Sequence, residues 1–346
     1  MDRASKDGNP NRRFTLYLIN IIILSAVTLF AVASAVITRT RLDRTLQSIE
    51  DGQGGSTARL HEVREQAATD ARLEVLGEIR DSLEAGESTL SVLRELFPGD
   101  IVTYSGGKYY FTSVNPLAAA KTVTAENLVF GEDGSVRTEG APDGTIVQRG
   151  IDVSELNGEI DWSRAAENGI SFAMVRLGYV DADGSVREDR RFARNFAGAL
   201  QSGIRVGCYM ELTGNDEETL LAQTRFFADT MEPYGSRITF PAALRISLAE
   251  GGEEEAVSLR AQRTEALEKA CALLEERGFT PMIGGDLTAL SLCADISGLQ
   301  ERDIWYTGAD ASLAYPYDWT MWQYRSGVPI EGIEGAVELD VYVTVQ

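Results

Sequence analysis

The sequence predicts an α/β fold in which a modified (β/α) barrel occupies residues 148–346. Strand, helix and strand patterns follow one another between Gly150 and Leu177, a spacing typical of a βαβ unit with parallel strands. The same alternation continues along the chain and gives eight strand candidates. A hydrophobic fraction of 44% with 33 glycines suits a packed α/β core. A transmembrane helix, a helical stalk and a small β-rich connector are predicted to precede the barrel.

Residues 1–13 form a short polar segment, and residues 14–38 contain no charged side chain. The second segment is about long enough to cross a bilayer as one helix, so it predicts a membrane anchor with a cytoplasmic tail. A cleaved signal peptide is the alternative, because Ala33-Ser34-Ala35 has the small-x-small form of a cleavage site. The anchor is favoured because the apolar segment is longer than the usual ~7–15-residue core of a signal peptide.

Residues 39–98 are predicted to be mainly helical, with an interruption at 51–56. Apolar residues such as Leu76, Ile79 and Leu83 form a narrow stripe among Glu, Arg and Ala. This pattern is typical of a stalk or a weak coiled coil, and it makes self-association a further expectation. A second short helix is expected at 88–97, before Pro98.

Residues 99–147 are predicted to be a small β-rich connector. Strand patterns at 101–104 and 109–112 flank a Gly-containing turn, as in a β-hairpin. The remainder contains Gly, Asp and Pro turn signals, and no residue in it indicates chemistry.

The barrel elements follow in order after the first βαβ unit. Further strand candidates lie at 204–211, 240–247, 281–286, 303–306, 321–324 and 337–342. Helical patterns lie at 189–201, 216–230 and 253–278. In a parallel barrel the functional side chains come from the carboxyl ends of the strands, which meet at one rim.

Charge and cysteine content exclude several classes of function. The chain has 32 basic and 53 acidic residues, for a net charge of −21, which disfavours nucleic acid as a partner. Cys208, Cys271 and Cys293 lie far apart without CxxC spacing, and the one histidine, His61, lies in a polar helical stretch. No metal site and no cofactor are therefore expected.

Three short motifs at fixed spacing resemble one known family. Gly150-Ile-Asp-Val-Ser154, Gly158-Glu-Ile-Asp-Trp162 and Arg176-Leu-Gly-Tyr179 are similar to the opening of glycoside hydrolase family 25, the N-acetylmuramidase or lysozyme family. The resemblance extends from about Gly150 to Val343. It implies the modified barrel of that family and hydrolysis of the β-1,4 bond between N-acetylmuramic acid and N-acetylglucosamine.

The chain departs from this family at the strand that carries the catalytic acids. The family's Pro-x-x-Leu-Asp-x-Glu reads Pro241-Ala-Ala-Leu-Arg245-Ile-Ser247 here. Arginine keeps its proton at any working pH and serine is far too weak an acid, so neither replaces a carboxyl group. The expectation is a catalytically inactive domain in which Arg245 pairs with a nearby carboxylate.

Several carboxylates remain at the predicted rim. The resemblance marks Asp152 as an unchanged family carboxylate and Glu338, in Val337-Glu-Leu-Asp340, as an altered one. Glu211, at the end of the third strand, is a candidate substitute for a lost acid. Asp152 is the first expected partner of Arg245, followed by Glu338 and Glu211.

Glycan contacts are predicted for one acidic and several aromatic side chains near the strand ends. Aromatic rings there either stack on sugar faces or only pack against the barrel, and the sequence leaves both open. Trp322-Gln-Tyr324 also matches the family's Trp-Gln-Tyr. The candidate glycan-binding residues are Tyr179, Tyr209, Asp286, Trp305, Trp322 and Tyr324.

The resulting hypothesis is a single-pass membrane protein with a cytoplasmic N-terminus and an extracellular lysozyme-like domain. That domain is expected to bind peptidoglycan, another cell-envelope glycan or an envelope protein without cutting it. Two alternatives stay open: an active muramidase that uses relocated carboxylates, and a structural envelope scaffold.

Overall fold

The computed structural model describes residues 57–118, 121–131, 134–181, 184–248, 252–299, 301–308 and 313–345. By its internal contacts the chain divides into two compact units, with the boundary after Gly86. The predicted membrane anchor at 14–38 and the start of the predicted stalk lie outside the described residues. Among the helices that are described, none combines the length and the apolar character needed to cross a membrane.

The first unit contributes one described helix, α1, at Thr57–Glu84. It lies in the segment predicted to be helical. Leu73 and Leu76 are 63% and 60% exposed, three residues apart on one face. Self-association through this face stays a prediction.

The second unit begins with a short helix and two small antiparallel strand pairs. Helix α2, Thr89–Leu96, starts at the predicted position because the Ser88 side chain accepts a hydrogen bond from the Ser91 amide at 3.1 Å. Strands β1 and β2, at Asp100–Ser105 and Lys108–Ser113, form the predicted hairpin. The second pair is β3 at Leu128–Phe130 and β4 at Val136–Thr138, after a 3₁₀ turn at Ala125–Asn127.

Eight strands close a barrel, as the sequence predicts. They are β5 (Thr145–Val153), β6 (Phe172–Val180), β8 (Arg205–Leu212), β9 (Ala242–Ile246), β10 (Pro281–Gly285), β11 (Asp303–Tyr306), β12 (Met321–Val328) and β13 (Val337–Val345). Strand β7 (Val186–Glu188) extends the edge of β6 as a hairpin. Neighbouring strands from β5 to β12 run parallel, whereas β13 lies antiparallel between β12 and β5.

Helices cover the outside of this barrel. They are α3 (Trp162–Glu167), α4 (Phe192–Gln201), α5 (Glu217–Met231), α6 (Gly252–Glu276) and α7 (Leu287–Cys293), with 3₁₀ turns at Glu155–Asn157 and Gly235–Arg237. Helices α3, α5 and α7 begin where Asp161, Asp216 and Asp286 accept a hydrogen bond from a first-turn amide. The helix after Asp161 is thus where the sequence predicts it, although it is only six residues long.

The barrel interior is apolar at one end and polar at the other. Successive side chains of a strand point to opposite faces, so positions two apart share the interior. Phe172, Met174, Phe240, Ala243, Met282 and Met321 form part of the apolar interior cluster. The residue two positions after each of three cluster members is polar: Arg176 follows Met174, Arg245 follows Ala243, and Gln323 follows Met321. The polar end is therefore the end at which the parallel strands terminate.

The predicted connector does not stand apart from the barrel. Residues from Glu87 onward belong to the same compact unit, and Phe130 stacks on Tyr324 with ring centroids 4.4 Å apart. The Tyr324 hydroxyl donates a hydrogen bond to the Gly134 carbonyl at 2.7 Å. The β3–β4 pair therefore packs on the outer face of β12, where a barrel helix would otherwise lie.

Candidate active-site cleft

A cleft of about 490 Å³ opens at the polar end of the barrel. Its walls come from the carboxyl ends of the parallel strands and from the amino end of the antiparallel β13. The charged and amide side chains that line it are Asp152, Arg176, Glu211, Arg245, Gln323 and Glu338, together with Asn157 from the turn after β5.

Asp152 lies deepest among the carboxylates of the rim, with a side chain only 7% exposed. Its Oδ2 accepts a hydrogen bond from Gln323 Nε2 at 2.9 Å, and its Oδ1 accepts one from the Tyr209 hydroxyl at 3.4 Å. Both oxygens therefore have partners from the barrel. Burial raises the pKa of Asp152 to about 6, with Glu338 adding to the effect and Arg245 opposing it.

Arg245 points into the cleft beside Asp152, as expected from the sequence. Its Nη1 lies 3.6 Å from Asp152 Oδ1, and its side chain is 22% exposed. The guanidinium carbon lies 5.1 Å from the Tyr209 ring centroid and 5.2 Å from that of Trp305, within the range of cation–π attraction. Among the described residues, Asp152 is the only carboxylate with which Arg245 forms an ion pair.

Two acidic residues of β13 lie next to this pair. Glu338 is opposite Asp152 in the strand register, and Asp340 follows two residues later on the same interior face. Asp340 is fully buried and its Oδ1 accepts a hydrogen bond from Trp305 Nε1 at 2.8 Å. Burial, together with the charge of Asp152, raises the pKa of Asp340 well above its ordinary value. Burial therefore disfavours the charged form of Asp340.

A buried ion pair supports the turn at the cleft edge. Arg176 Nε donates to Asp189 Oδ2 at 2.9 Å, and the Asp189 side chain has no exposed surface. The same Asp189 oxygen accepts a hydrogen bond from the Glu155 amide at 2.9 Å. Arg176 and Asp189 therefore fix the start of the 3₁₀ turn whose last residue, Asn157, lines the cleft.

Comparison with known families identifies the barrel. The profile described as glycosyl hydrolases family 25 matches residues 151–333, just over half of the chain. The chain belongs to glycosyl hydrolase family 25. The matched region runs from β5, which carries Asp152, to the segment before β13.

Individual relatives of this family 25 chain are distant. Escherichia coli YegX, an uncharacterized protein, is 27% identical over 202 residues, which cover 56% of this chain and 68% of YegX. Lysozyme M1 of Streptomyces globisporus is 40% identical over 80 residues, 23% of this chain and 26% of that lysozyme.

Two solved structures are among those to which the chain is similar. The modular autolysin LytC from Streptococcus pneumoniae has a TM-score of 0.48 at 18% identity, covering 70% of this chain and 66% of that chain. The bacterial lysozyme from Streptomyces coelicolor has a TM-score of 0.44 at 23% identity, covering 56% of this chain and 91% of that chain.

Two of the predicted non-aromatic site residues of this family 25 domain lie away from the cleft lining. Ser247 is exposed just beyond the end of β9, and its carbonyl accepts a hydrogen bond from Arg263 Nη2 at 3.4 Å. Asp286 caps helix α7, where its Oδ1 accepts a hydrogen bond from the Ala289 amide at 2.7 Å. Helix capping accounts for an aspartate at this position without a ligand.

The predicted aromatic residues divide into three groups. Tyr209 lines the cleft, although it is only 3% exposed. Tyr179 is half-buried, with the Arg176 guanidinium carbon 4.8 Å from its ring centroid. Trp305, Trp322 and Tyr324 are 0%, 2% and 7% exposed. These three rings are buried and do not line the cleft, so their contact with a sugar stays a prediction.

Other cleft residues were not selected from the sequence. Gln323 and Arg176 line the cleft, and Asp340 lies beneath it in contact with Trp305. The alternation along β12 is the signal that identifies Gln323, because Met321 of the interior cluster and Gln323 share a face. Within the described part of the chain, no group of three or more His, Cys, Asp or Glu side chains is placed to hold a metal ion.

Proposed function

We propose that this lysozyme-family domain binds peptidoglycan glycan without hydrolysing it. The observation that carries the proposal is the identity of the side chain that β9 directs into the cleft, a guanidinium rather than a carboxyl group. Glycan as the ligand is supported by membership of family 25 and by the stretch of sequence similar to Lysozyme M1.

The chemistry of glycosidases explains why this side chain is decisive. Hydrolysis needs one carboxylic acid to protonate the leaving oxygen and a second carboxylate on the other side of the sugar, ~5–10 Å away. Arg245 supplies neither, and Ser247 is exposed beyond the strand end. Loss of one general acid removes a factor of ~10²–10⁴ in rate, and here both positions of the family motif lack a carboxyl group.

Clearing of a peptidoglycan suspension and co-sedimentation with insoluble wall test this proposal together. The full chain is compared with the variant Arg245→Asp, Ser247→Glu, which restores both carboxyl groups. We expect the unmodified chain to sediment with the wall and to leave its turbidity unchanged, and any lysis to appear only in the double variant. Lysis by the unmodified chain would refute the absence of hydrolysis.

A second candidate function, an active muramidase, is favoured by one observation. Asp152 has a pKa of about 6, which suits a general acid, and Glu211 and Glu338 line the same cleft. If this candidate is correct, the unmodified chain lyses wall. The single variant Asp152→Asn is then expected to abolish lysis, and so is one of the single variants Glu211→Gln and Glu338→Gln. A chain that neither lyses nor sediments with wall would instead favour the envelope-scaffold alternative.

We also propose that residues 14–38 anchor the chain with its C-terminal domain outside the cell. The support is the uncharged apolar sequence alone. Alkaline phosphatase fused to the C-terminus is expected to be active and to fractionate with membranes. The variant Ile22→Arg, Leu29→Arg is expected to lose membrane association, and recovery of the unmodified fusion in the soluble fraction would contradict the anchor.

A further inference from the structure

We propose that Arg245 is a ligand-binding residue whose guanidinium group donates hydrogen bonds to a neutral acceptor oxygen of the bound sugar, namely the carbonyl of an N-acetyl group. The inference rests on the proposed glycan-binding function and assigns a role to the residue that distinguishes this cleft. Three features of this cleft-lining side chain lead to it: its fixed position, its lack of a hydrogen-bond acceptor among the described residues, and the surrounding charge.

The side chain of Arg245 is held in place before any ligand binds. The Tyr209 and Trp305 rings lie at 5.1 and 5.2 Å from its guanidinium carbon. Gly284 is its register partner on β10, and a Cβ added there would lie 2.9 Å from Arg245 Cγ. The arginine stem thus occupies space that only glycine leaves open, which limits the positions that the guanidinium can adopt.

Within the described part of the chain, the guanidinium group of Arg245 has no hydrogen-bond acceptor. Arginine carries five N–H donors. Among the described residues none accepts a hydrogen bond from Arg245, because the ion-paired oxygen, Asp152 Oδ1, is 3.6 Å away. The shorter contacts of Asp152 are made by Gln323 at 2.9 Å and Tyr209 at 3.4 Å. A largely buried cation with unused donors is a ready binding group for an acceptor that enters the cleft.

The charges around Arg245 favour a neutral acceptor over an anion. Asp152, Glu211 and Glu338 line the same cleft, and the other cleft arginine, Arg176, is already bonded to Asp189. A ligand carboxylate would therefore meet three acidic side chains and one available cation. An amide carbonyl accepts the same hydrogen bonds without that repulsion.

Calorimetric titration of the full chain with the tetramer of N-acetylglucosamine tests the assignment. Arg245→Met keeps the length of the stem but removes the donors, so we expect the affinity to fall roughly 10- to 100-fold. Arg245→Lys keeps the charge without the fork of donors and is expected to give an intermediate loss. Arg277→Met, at the opposite end of the barrel, is the matched control and is expected to bind like the unmodified chain.

The outcomes separate this inference from the proposed function. If the unmodified chain binds neither the tetramer nor insoluble wall, the proposed function fails. If it binds and Arg245→Met binds equally well, the glycan-binding function stands and the role of Arg245 is refuted. An N-acetylglucosamine–N-acetylmuramic acid disaccharide with a free carboxylate is the second probe. Tighter binding of this anion than of a neutral disaccharide would overturn the preference for a neutral acceptor. Circular dichroism confirms that each variant is folded.

Discussion

Asp152 and Arg245 form a pair of opposite charges whose contact is loose for a buried ion pair. Their closest N–O distance is 3.6 Å, whereas Gln323 reaches Asp152 at 2.9 Å. An arginine so close to a carboxylate ordinarily lowers the pKa of the acid. Here burial outweighs that attraction, and the pKa of Asp152 rises to about 6. The carboxyl group is therefore partly protonated near neutral pH even though a cation lies beside it.

The raised pKa of Asp152 predicts a pH-dependent difference in stability between the unmodified chain and Asp152→Asn. The unfolded chain releases this proton near the ordinary value of 3.8 and the folded chain near 6. The folded state therefore binds more protons between these values, and its stability falls as the pH rises through them. At about 1.4 kcal/mol per pKa unit, the difference is roughly 3 kcal/mol at most.

Unfolding by urea at several pH values between 3.5 and 7.5 measures this effect. The free energy of unfolding of Asp152→Asn, relative to that of the unmodified chain, is expected to increase with pH up to about pH 7 and then to level off. Asp340 is present in both proteins, but the charge of Asp152 helps to raise its pKa, so Asp152→Asn lowers the pKa of Asp340 and changes the measured difference in the same direction. A difference that does not change with pH would contradict the raised pKa of Asp152.

At the scale of single elements, strand β12 explains which part of the site the sequence could predict. Trp322, Gln323 and Tyr324 are adjacent in the family motif, but their side chains alternate between the two faces of the strand. Gln323 points inward to Asp152, whereas the two aromatic rings point outward and contact Phe130. The sequence identifies the motif, but the register of the barrel decides which of its side chains point inward. The sequence also could not predict that Phe130 of the connector packs on the two outward-facing rings.

The contact between the connector and β12 gives an element-scale prediction. Tyr324→Phe removes the hydrogen bond to the Gly134 carbonyl and leaves that buried acceptor unsatisfied. We expect a loss of about 1–2 kcal/mol in the free energy of unfolding, measured by chemical denaturation.

Tyr342→Phe is the matched control for this experiment. The Tyr342 hydroxyl makes no hydrogen bond within the described part of the chain, and the residue packs against Phe172 and Phe240. The free energy of unfolding of Tyr342→Phe is expected to differ from that of the unmodified chain by less than about 0.5 kcal/mol. Equal losses in the two variants would indicate that the Tyr324 hydrogen bond adds little to connector docking.

For the whole molecule, periodicity predicts the barrel well because most of the parallel strands are short apolar runs followed by a helix. The predicted strand at 303–306 coincides with β11, and that at 281–286 differs from β10 by one residue. The start of β5 at Thr145 lies inside the predicted connector, since its first residues pair only with β13. Such pairing between distant segments leaves no local pattern in the sequence.

The buried cysteines give a prediction for the whole molecule. Cys208, Cys271 and Cys293 are free and buried, and burial raises the pKa of each thiol, to about 12 for Cys271. A protonated, inaccessible thiol reacts slowly with disulfide reagents. The native chain is therefore expected to leave Ellman's reagent unchanged at pH 8 for many minutes, and the denatured chain to release three equivalents.

Leu156→Cys provides the positive control, because Leu156 is 78% exposed at the cleft. This variant is expected to add one thiol that reacts at once in the native state. Prompt reaction of a thiol in the unmodified chain would indicate local opening of the barrel around that cysteine.

The seam between β5 and β13 also bears on how the protein is synthesised. Gly150 is paired with Asp340, so closing the barrel joins two segments that leave the ribosome far apart in time. Contacts between segments so distant along the chain are slow to form, because a long loop must be ordered first. Glu338 and Asp340 arrive on that final strand, so a nascent chain has no complete cleft before translation has passed β13.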